Sequence, residues 1–342
     1  MSESRRRRLA FLSLGLALPG AVLAGTAAGS VPLPLGSLLG SLGSRLGLDL
    51  GLASLGPEGD AILWAVRLPR VLLAAVVGGG LAVVGAALQS VFRNPMADAG
   101  LLGVGSGAAL GAVLAVRLGW AEDVFLAMPL AAFAGALAAV LAVYALAHLA
   151  GAPSIQGLLL TGLAVGALAG AGTSFVLVAT EEFRVKTVLF WLAGGLEGRS
   201  WTHLHLGAGF VLPGVALLTV LARPLDVLSL GREEAASLGL PVHLTRLTVL
   251  GLSSLVAGAA TAVAGSVPFV GLVAPHALRP WVGALGRHVL PAAFLGGAVL
   301  VVLADLAART VSDRYDLPLG SLTAVVGAPY FLFALRGSAG RS

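Results

Sequence analysis

Long apolar runs broken by short polar stretches dominate this chain. A helix needs about 20 such residues to cross a hydrocarbon layer of about 30 Å. Runs of that kind lie at roughly 9–29, 62–91, 99–118, 124–149, 155–179, 203–222, 244–264, 268–280, 289–309 and 318–335, which predicts about ten spans and an all-α, polytopic membrane protein. The eighth run is too short to cross alone. It is expected to be a partial helix held in protein or beside a cavity, where irregular backbone is tolerated. Residues 30–60 read as an external loop with at most a short surface helix, and 181–202 as a polar stretch on the same side with a short helix from Thr187 to Leu196. Residues 223–243 form the longest polar stretch on the opposite, cytoplasmic side. Self-similarity at a period of about 20–50 residues is absent, so residues 1–342 read as a single transmembrane domain.

Composition sharpens the packing. The chain is 58% hydrophobic and 11% charged, too few charges for a soluble domain, and its 48 glycines suit close-packed membrane helices. Gly103, Gly107 and Gly111 recur at a spacing of four, as do Gly162, Gly166 and Gly170, giving the third and fifth helices a glycine ridge. Packing within one subunit explains such ridges first, and a subunit interface or pore lining second. With no cysteine, disulfides, thiolate metal sites and a cysteine nucleophile are excluded.

The net charge of +5 is spread singly between apolar runs, apart from Arg5 to Arg8, which fits membrane orientation better than nucleic-acid binding. An N-terminus in the cytoplasm puts Arg5 to Arg8, Arg93, Arg223, Arg232, Arg246, Arg279, Arg287, Arg336 and Arg341 inside, a modest majority of the 21 Lys and Arg residues. Both termini then lie in the cytoplasm, with the protein in the cell inner membrane. A basic start and small residues near Ala24 to Ala28 also fit a cleaved signal peptide, but cleavage would place the two ends on opposite faces.

Few residues carry candidate chemistry. Arg67 and Arg70 lie three apart at the outer mouth of the second run, with Pro69 suited to a first helical turn; snorkelling to lipid headgroups would account for them without a partner. Asp305 is the one carboxylate placed inside a span, and Arg309 follows in the favourable i+4 order. Self-neutralisation is the first reading of that pair and a proton relay the second. Arg93, Asn94 and Pro95 close the second helix on the inner face, with Asn94 able to cap the next one. His276 and Arg279 lie near the inner end of the eighth; a lone histidine without a ligand-spaced partner reads as structural, so no metal site is expected. Paired catalytic groups and a phosphate-binding loop are both missing, so the chain is not expected to be an enzyme.

Three strings carry a family likeness: RLPRVLLAAVVGGGLAVVGAALQSVFRNPMADAGLLGVGSGAALGA from Arg67, GREEAASLGL from Gly231, and GSVPFVGLVAPHALR from Gly265, followed by Asp305, Arg309 and LPLGSLTAVVGAP from Leu317. Over roughly residues 60–336 the chain resembles the FecCD-type permeases, which serve iron-siderophore, haem and cobalamin uptake in ABC importers. The resemblance implies a ten-helix subunit of the cobalamin-importer kind, working as a homodimer. Two cytoplasmic ATPase subunits would bind ATP and Mg, and a periplasmic or lipoprotein binding protein would deliver an iron complex, a ferric siderophore or haem, with cobalamin as the alternative. It further implies that Gly231, Arg232, Glu233, Glu234, Ala235, Ala236, Leu238 and Gly239 form the helix that couples to the ATPase, with Ala235, Ala236, Leu238 and Leu240 as its apolar face. Arg67, Arg70 and Arg309 would receive acidic residues of the binding protein. Arg93, Asn94, Pro95, His276 and Arg279 would pass on ATPase movement. By analogy the pore runs between two copies along the fifth and tenth helices, with Thr161, Thr173, Ser174 and Thr323 on its walls and Pro153, Ser154 and Gln156 near a gate. A proton- or sodium-driven carrier is the rival reading, but it needs several intramembrane acids.

Overall fold

The computed structural model describes residues 2–29, 31–151, 154–311 and 316–339, and every regular element among them is helical. Pro153 and Arg341 lie outside the described residues. The order is α1 (Glu3–Ala27), α2 (Leu35–Arg45), α3 (Pro57–Phe92), α4 (Val104–Arg117), α5 (Ala127–Leu149), α6 (Ile155–Val178), α7 (Glu182–Leu192), α8 (Trp201–Val220), α9 (Ala222–Leu230), α10 (Arg232–Ser237), α11 (Val242–Ala264), α12 (Val270–Val282), α13 (Gly286–Thr310) and α14 (Leu319–Ala339). Among the described residues, seven helices are long and apolar enough to cross a membrane. The apolar stretches Val104–Arg117 and Leu319–Phe333 are shorter, and α12, with 13 residues, is the partial helix that the eighth run foretells.

α3 is the hub. Of its most apolar window 83% is buried, against 22% for α1 and for α6, which places it at the centre and them at the rim. It packs on α13, α8, α11 and α12, while α4, α5 and α6 form a second group joined to the hub through α11. Glycine sets the closest approaches. A Cβ on Gly78 would stand 2.2 Å from the Gly297 carbonyl, and one on Gly85 2.0 Å from that of Gly271, so α3 meets α13 and α12 backbone to backbone. The α4 ridge behaves alike: Gly107 meets Gly135 and Gly111 meets Ala131, both on α5. The α6 ridge divides, since a Cβ on Gly162 would stand 2.1 Å from the Leu101 carbonyl while one on Gly170 would meet nothing within 4 Å.

Several elements differ from their sequence outline, among them the short helix expected from Thr187 to Leu196, which is Glu182–Leu192. The second span begins at Pro57, so Pro69 sits inside a long helix rather than in its first turn. Proline has no N–H for the carbonyl of Ala65, and the turn before it is π-wound over Ile62–Arg67, with Leu68 N donating to Leu63 O. The third span loses its first turn: residues 99–102 are a 3₁₀ turn ended by Gly103 at φ 74°, and α4 starts only at Val104. The capping side chain there is Asp98, whose Oδ1 accepts from Gly100 N at 2.9 Å, whereas Asn94 turns its Oδ1 to Met96 N. Between α11 and α12 the chain is non-helical from Gly265, held where Gly194 and Gly320 each leave room for the Ser266 carbonyl. Irregular backbone survives at that depth because protein surrounds it.

Candidate functional site

Two ends of the bundle carry the polar groups. At one end, the π-wound turn aims Arg67 and Arg70 inward, leaving them 5% and 8% exposed. Arg67 Nη1 donates to the carbonyls of Thr26 and Ala27 at 3.0 and 2.9 Å, and Nη2 reaches that of Val31. Arg70 Nε and Nη2 both bond Asp305 Oδ1 at 2.9 Å, and Nη1 meets Asp316 Oδ2 at 2.8 Å. Arg309 Nε stands 3.1 Å from Asp305 Oδ2, while its Nη1 and Nη2 donate to Ala28 O and Gly25 O at 3.2 and 2.7 Å. Asp305, 1% exposed, is thus shared between two guanidiniums, and three arginines bind the carbonyls and carboxylates that tie α1 to α3 and α13. As isolated outward charges these arginines are not on offer in this arrangement. The ion-pair partner Asp316 was not visible in the sequence, because nothing local links it to Arg70.

Beside them a cavity of about 280 Å³ is lined by Arg70, Asp316, Trp191, Glu197 and Arg199 among others. Arg199 lies 3.2 Å from His203 Nε2, its Nε has no partner, and burial pulls its guanidinium below the ordinary value.

At the other end, the polar stretch 223–243 folds as α9 and the short α10. Gly231 makes the elbow at φ 142°, where a Cβ would stand 2.1 Å from Glu234 Oε2. Arg232, Glu233, Glu234, Ala236, Leu238 and Gly239 are exposed. Ala235 is 0% exposed and Leu240 half-buried against the core, so the expected apolar face divides: Ala235 and Leu240 seat the helix on its own subunit, while Ala236 and Leu238 face outward. Leu240 N donates to Ala235 O at 3.1 Å as the chain turns back after α10.

The remaining expected positions scatter. Arg93 closes α3 in the left-handed region at φ 51°. Pro95 is exposed, as is His276, which meets Tyr330 edge-on at 6.1 Å; Arg279 is half-buried. Among the described residues no three His, Cys, Asp or Glu gather as for a metal. Ser154 caps α6, accepting from Gly157 N at 3.1 Å, and Gln156 is exposed. Thr173 and Thr323, expected on pore walls, are 7% and 4% exposed and bond their own helix carbonyls, because helical threonines satisfy their hydroxyls locally. Ser174 is exposed and Thr161 half-buried. Asp98, missed by sequence reading, has its carboxyl raised by burial, an effect the Gly100 hydrogen bond opposes.

Comparison with known proteins gives consistent results. A model of the FecCD transport family matches residues 17–337. The cobalamin import system permease protein BtuC of Halobacterium salinarum is 43% identical over 81% of this chain and 74% of its own length. The hemin transport system permease protein HmuU of Yersinia pestis is 41% identical over 79% of this chain and 81% of its own. The Fe(3+)-citrate import system permease protein YfmE of Bacillus subtilis is 39% identical over 81% and 82%. Among solved structures, an inward-facing metal-chelate type ABC transporter superposes with a TM-score of 0.82 at 30% identity, covering 96% of this chain and 99% of that one.

Proposed function

The chain belongs to the FecCD transport family, and from that membership we infer that it is the membrane-spanning permease of an ATP-driven importer for a bulky metal chelate. The carrying observation is the near-complete superposition, at 30% identity, on a metal-chelate type ABC transporter. The chain supplies the passage and a partner ATPase supplies the hydrolysis. Exposed Glu233, Glu234, Ala236 and Leu238 on α10 are the surface offered to that ATPase. This end faces the cytoplasm, in keeping with the arginines gathered there, and both termini lie on that side of the inner membrane.

A homodimer would place its passage beside α6 and α14, helices whose apolar side chains stay exposed in the single chain, among them Leu163, Phe175 and Val325. The cavity beside Arg70 and Arg199 lies at the opposite mouth, where a substrate-binding protein would dock. The cargo is an iron complex, a ferric siderophore or haem, or alternatively cobalamin. Relatives named for cobalamin, hemin and ferric citrate differ by only a few per cent in identity, so similarity does not rank them. The test is uptake by proteoliposomes holding this chain, its ATPase and its binding protein. Accumulation should require ATP hydrolysis, and side-by-side binding of ferric siderophore, haem and cobalamin to the binding protein should name the cargo. Gradient-driven uptake by the lone chain would instead establish a secondary carrier.

A further inference from the structure

Behind α10, where α3 and α5 end and α11 begins, lies a cavity of about 200 Å³. Its floor is apolar, made by Val91, Phe92, Leu158, Leu247 and Leu250. Its rim holds Arg232, Arg246, Tyr144, His148 and His243, with no carboxylate among the lining residues. Arg93, the residue after Phe92, and Arg232 both stand close enough to Arg246 to repel its charge. Arg70, Arg184 and Arg309 each hold a carboxylate, but Arg93, Arg232 and Arg246 form no ion pair among the described residues. Arg246 Nε is buried without a partner. Arg93 also occupies the left-handed region, which glycine adopts freely and an L residue only at a cost.

Two guanidiniums, a phenol and two imidazoles on one rim, with the Arg93 guanidinium close beside it, are a costly arrangement in isolation. They match a tetrahedral oxyanion, which can accept from several directions at once, better than a planar carboxylate, which one guanidinium can already satisfy. The apolar floor beneath them suits the start of an acyl chain, and helix ends at a membrane surface are where headgroups lie. We propose that this cavity is a phosphate-binding site, filled by the headgroup of an anionic phospholipid and bridging α10 to the ends of α3, α5 and α11. The choice of the cytoplasmic leaflet rests on the orientation proposed above. Lipid binding itself can be measured without transport, so failure of the importer reading and failure of this site are separable.

The experiment uses the purified, delipidated full chain in detergent, titrated with phosphatidylglycerol, phosphatidylcholine or inorganic phosphate at fixed ionic strength, with bound lipid counted by native mass spectrometry. Phosphatidylglycerol should be retained in preference to phosphatidylcholine; Arg93→Gln, beside the cavity rather than on its lining, should weaken it slightly, and Arg246→Gln by about fivefold. Arg232→Gln alters an exposed side chain and should do the same even if the other variants fold poorly. Arg223→Gln, exposed at the same end but outside the cavity, should bind like wild type. Equal retention of the two lipids, or an equal loss in Arg223→Gln, would overturn the site. Inorganic phosphate competing as well as the lipid would overturn the lipid occupant. A need for these arginines that appears only with the ATPase present would assign them to an acidic group of that partner and overturn the proposal.

Discussion

Asp305 bridges two guanidiniums with a single negative charge, and removing that charge would leave Arg309 without a carboxylate and Arg70 with Asp316 alone, in a site that water barely reaches. Breaking a buried pair from one side costs about 3–5 kcal/mol, far more than the pair contributes net, because the orphaned charge stays buried. Asp305→Asn should therefore collapse the yield of monodisperse protein in size-exclusion chromatography. Normal yield with a selective loss of pH-dependent transport would favour the proton relay. Arg67 holds the carbonyls of Thr26 and Ala27 in the last turn of α1 and that of Val31 beyond it. Arg67→Glu would set a carboxylate against those oxygens, so unfolding should precede any docking defect, and a well-folded variant deficient only in binding-protein association would restore the outward role. The i+4 relation of Asp305 and Arg309 was readable from the sequence. The bond from Arg70 to Asp305 spans 235 positions, and a single chain carries no local trace of it.

Helices were legible wherever apolar length alone decides them, and less so where backbone chemistry intervenes. The run 62–91 marked a span without marking it as the hub, and the π-wound turn that rotates Arg67 and Arg70 inward depends on how one missing N–H at Pro69 is absorbed. The short α12 was legible because 13 residues cannot cross, whereas the extended lead from Gly265 depends on glycines of two distant elements. Glycine spacing foretold ridges without telling which were filled. That difference is testable on two positions. Gly107→Ala would push a Cβ to 2.4 Å from the Gly135 carbonyl and should destabilise the chain by about 1–3 kcal/mol, read as a lower melting temperature in detergent. Gly170→Ala meets open space and gains helix propensity of roughly 0.5–1 kcal/mol, so the same measurement should show no loss. A drop at Gly170 seen only in dimeric preparations would locate the second subunit there.

For the whole molecule, the question is how an event at α10 reaches a passage on the far side of a packed hub. α10 is seated by Ala235, and its neighbour α9 touches both α3 and α13, the helices whose other ends hold Arg70, Asp305 and Arg309. Backbone-to-backbone glycine contacts leave little slack along that route, so α3 and α13 can tilt as stiff bodies more easily than they can deform. The pivot must then be gripped from outside, and the outward residue suited to an apolar grip is Leu238, 65% exposed beside acidic Glu233 and Glu234. Leu238→Asp removes no internal contact of consequence and should change stability by less than about 0.5 kcal/mol, as surface substitutions do. An apolar anchor at the heart of an interface is commonly worth 2 kcal/mol or more, so the variant should lose co-purifying ATPase by at least about tenfold. ATP-dependent uptake should fall with it, while binding of the substrate-loaded protein at the opposite mouth persists. If Leu238→Asp instead kept both its ATPase and its uptake, the grip would have to lie elsewhere, and the exposure of α10 would be solvation alone.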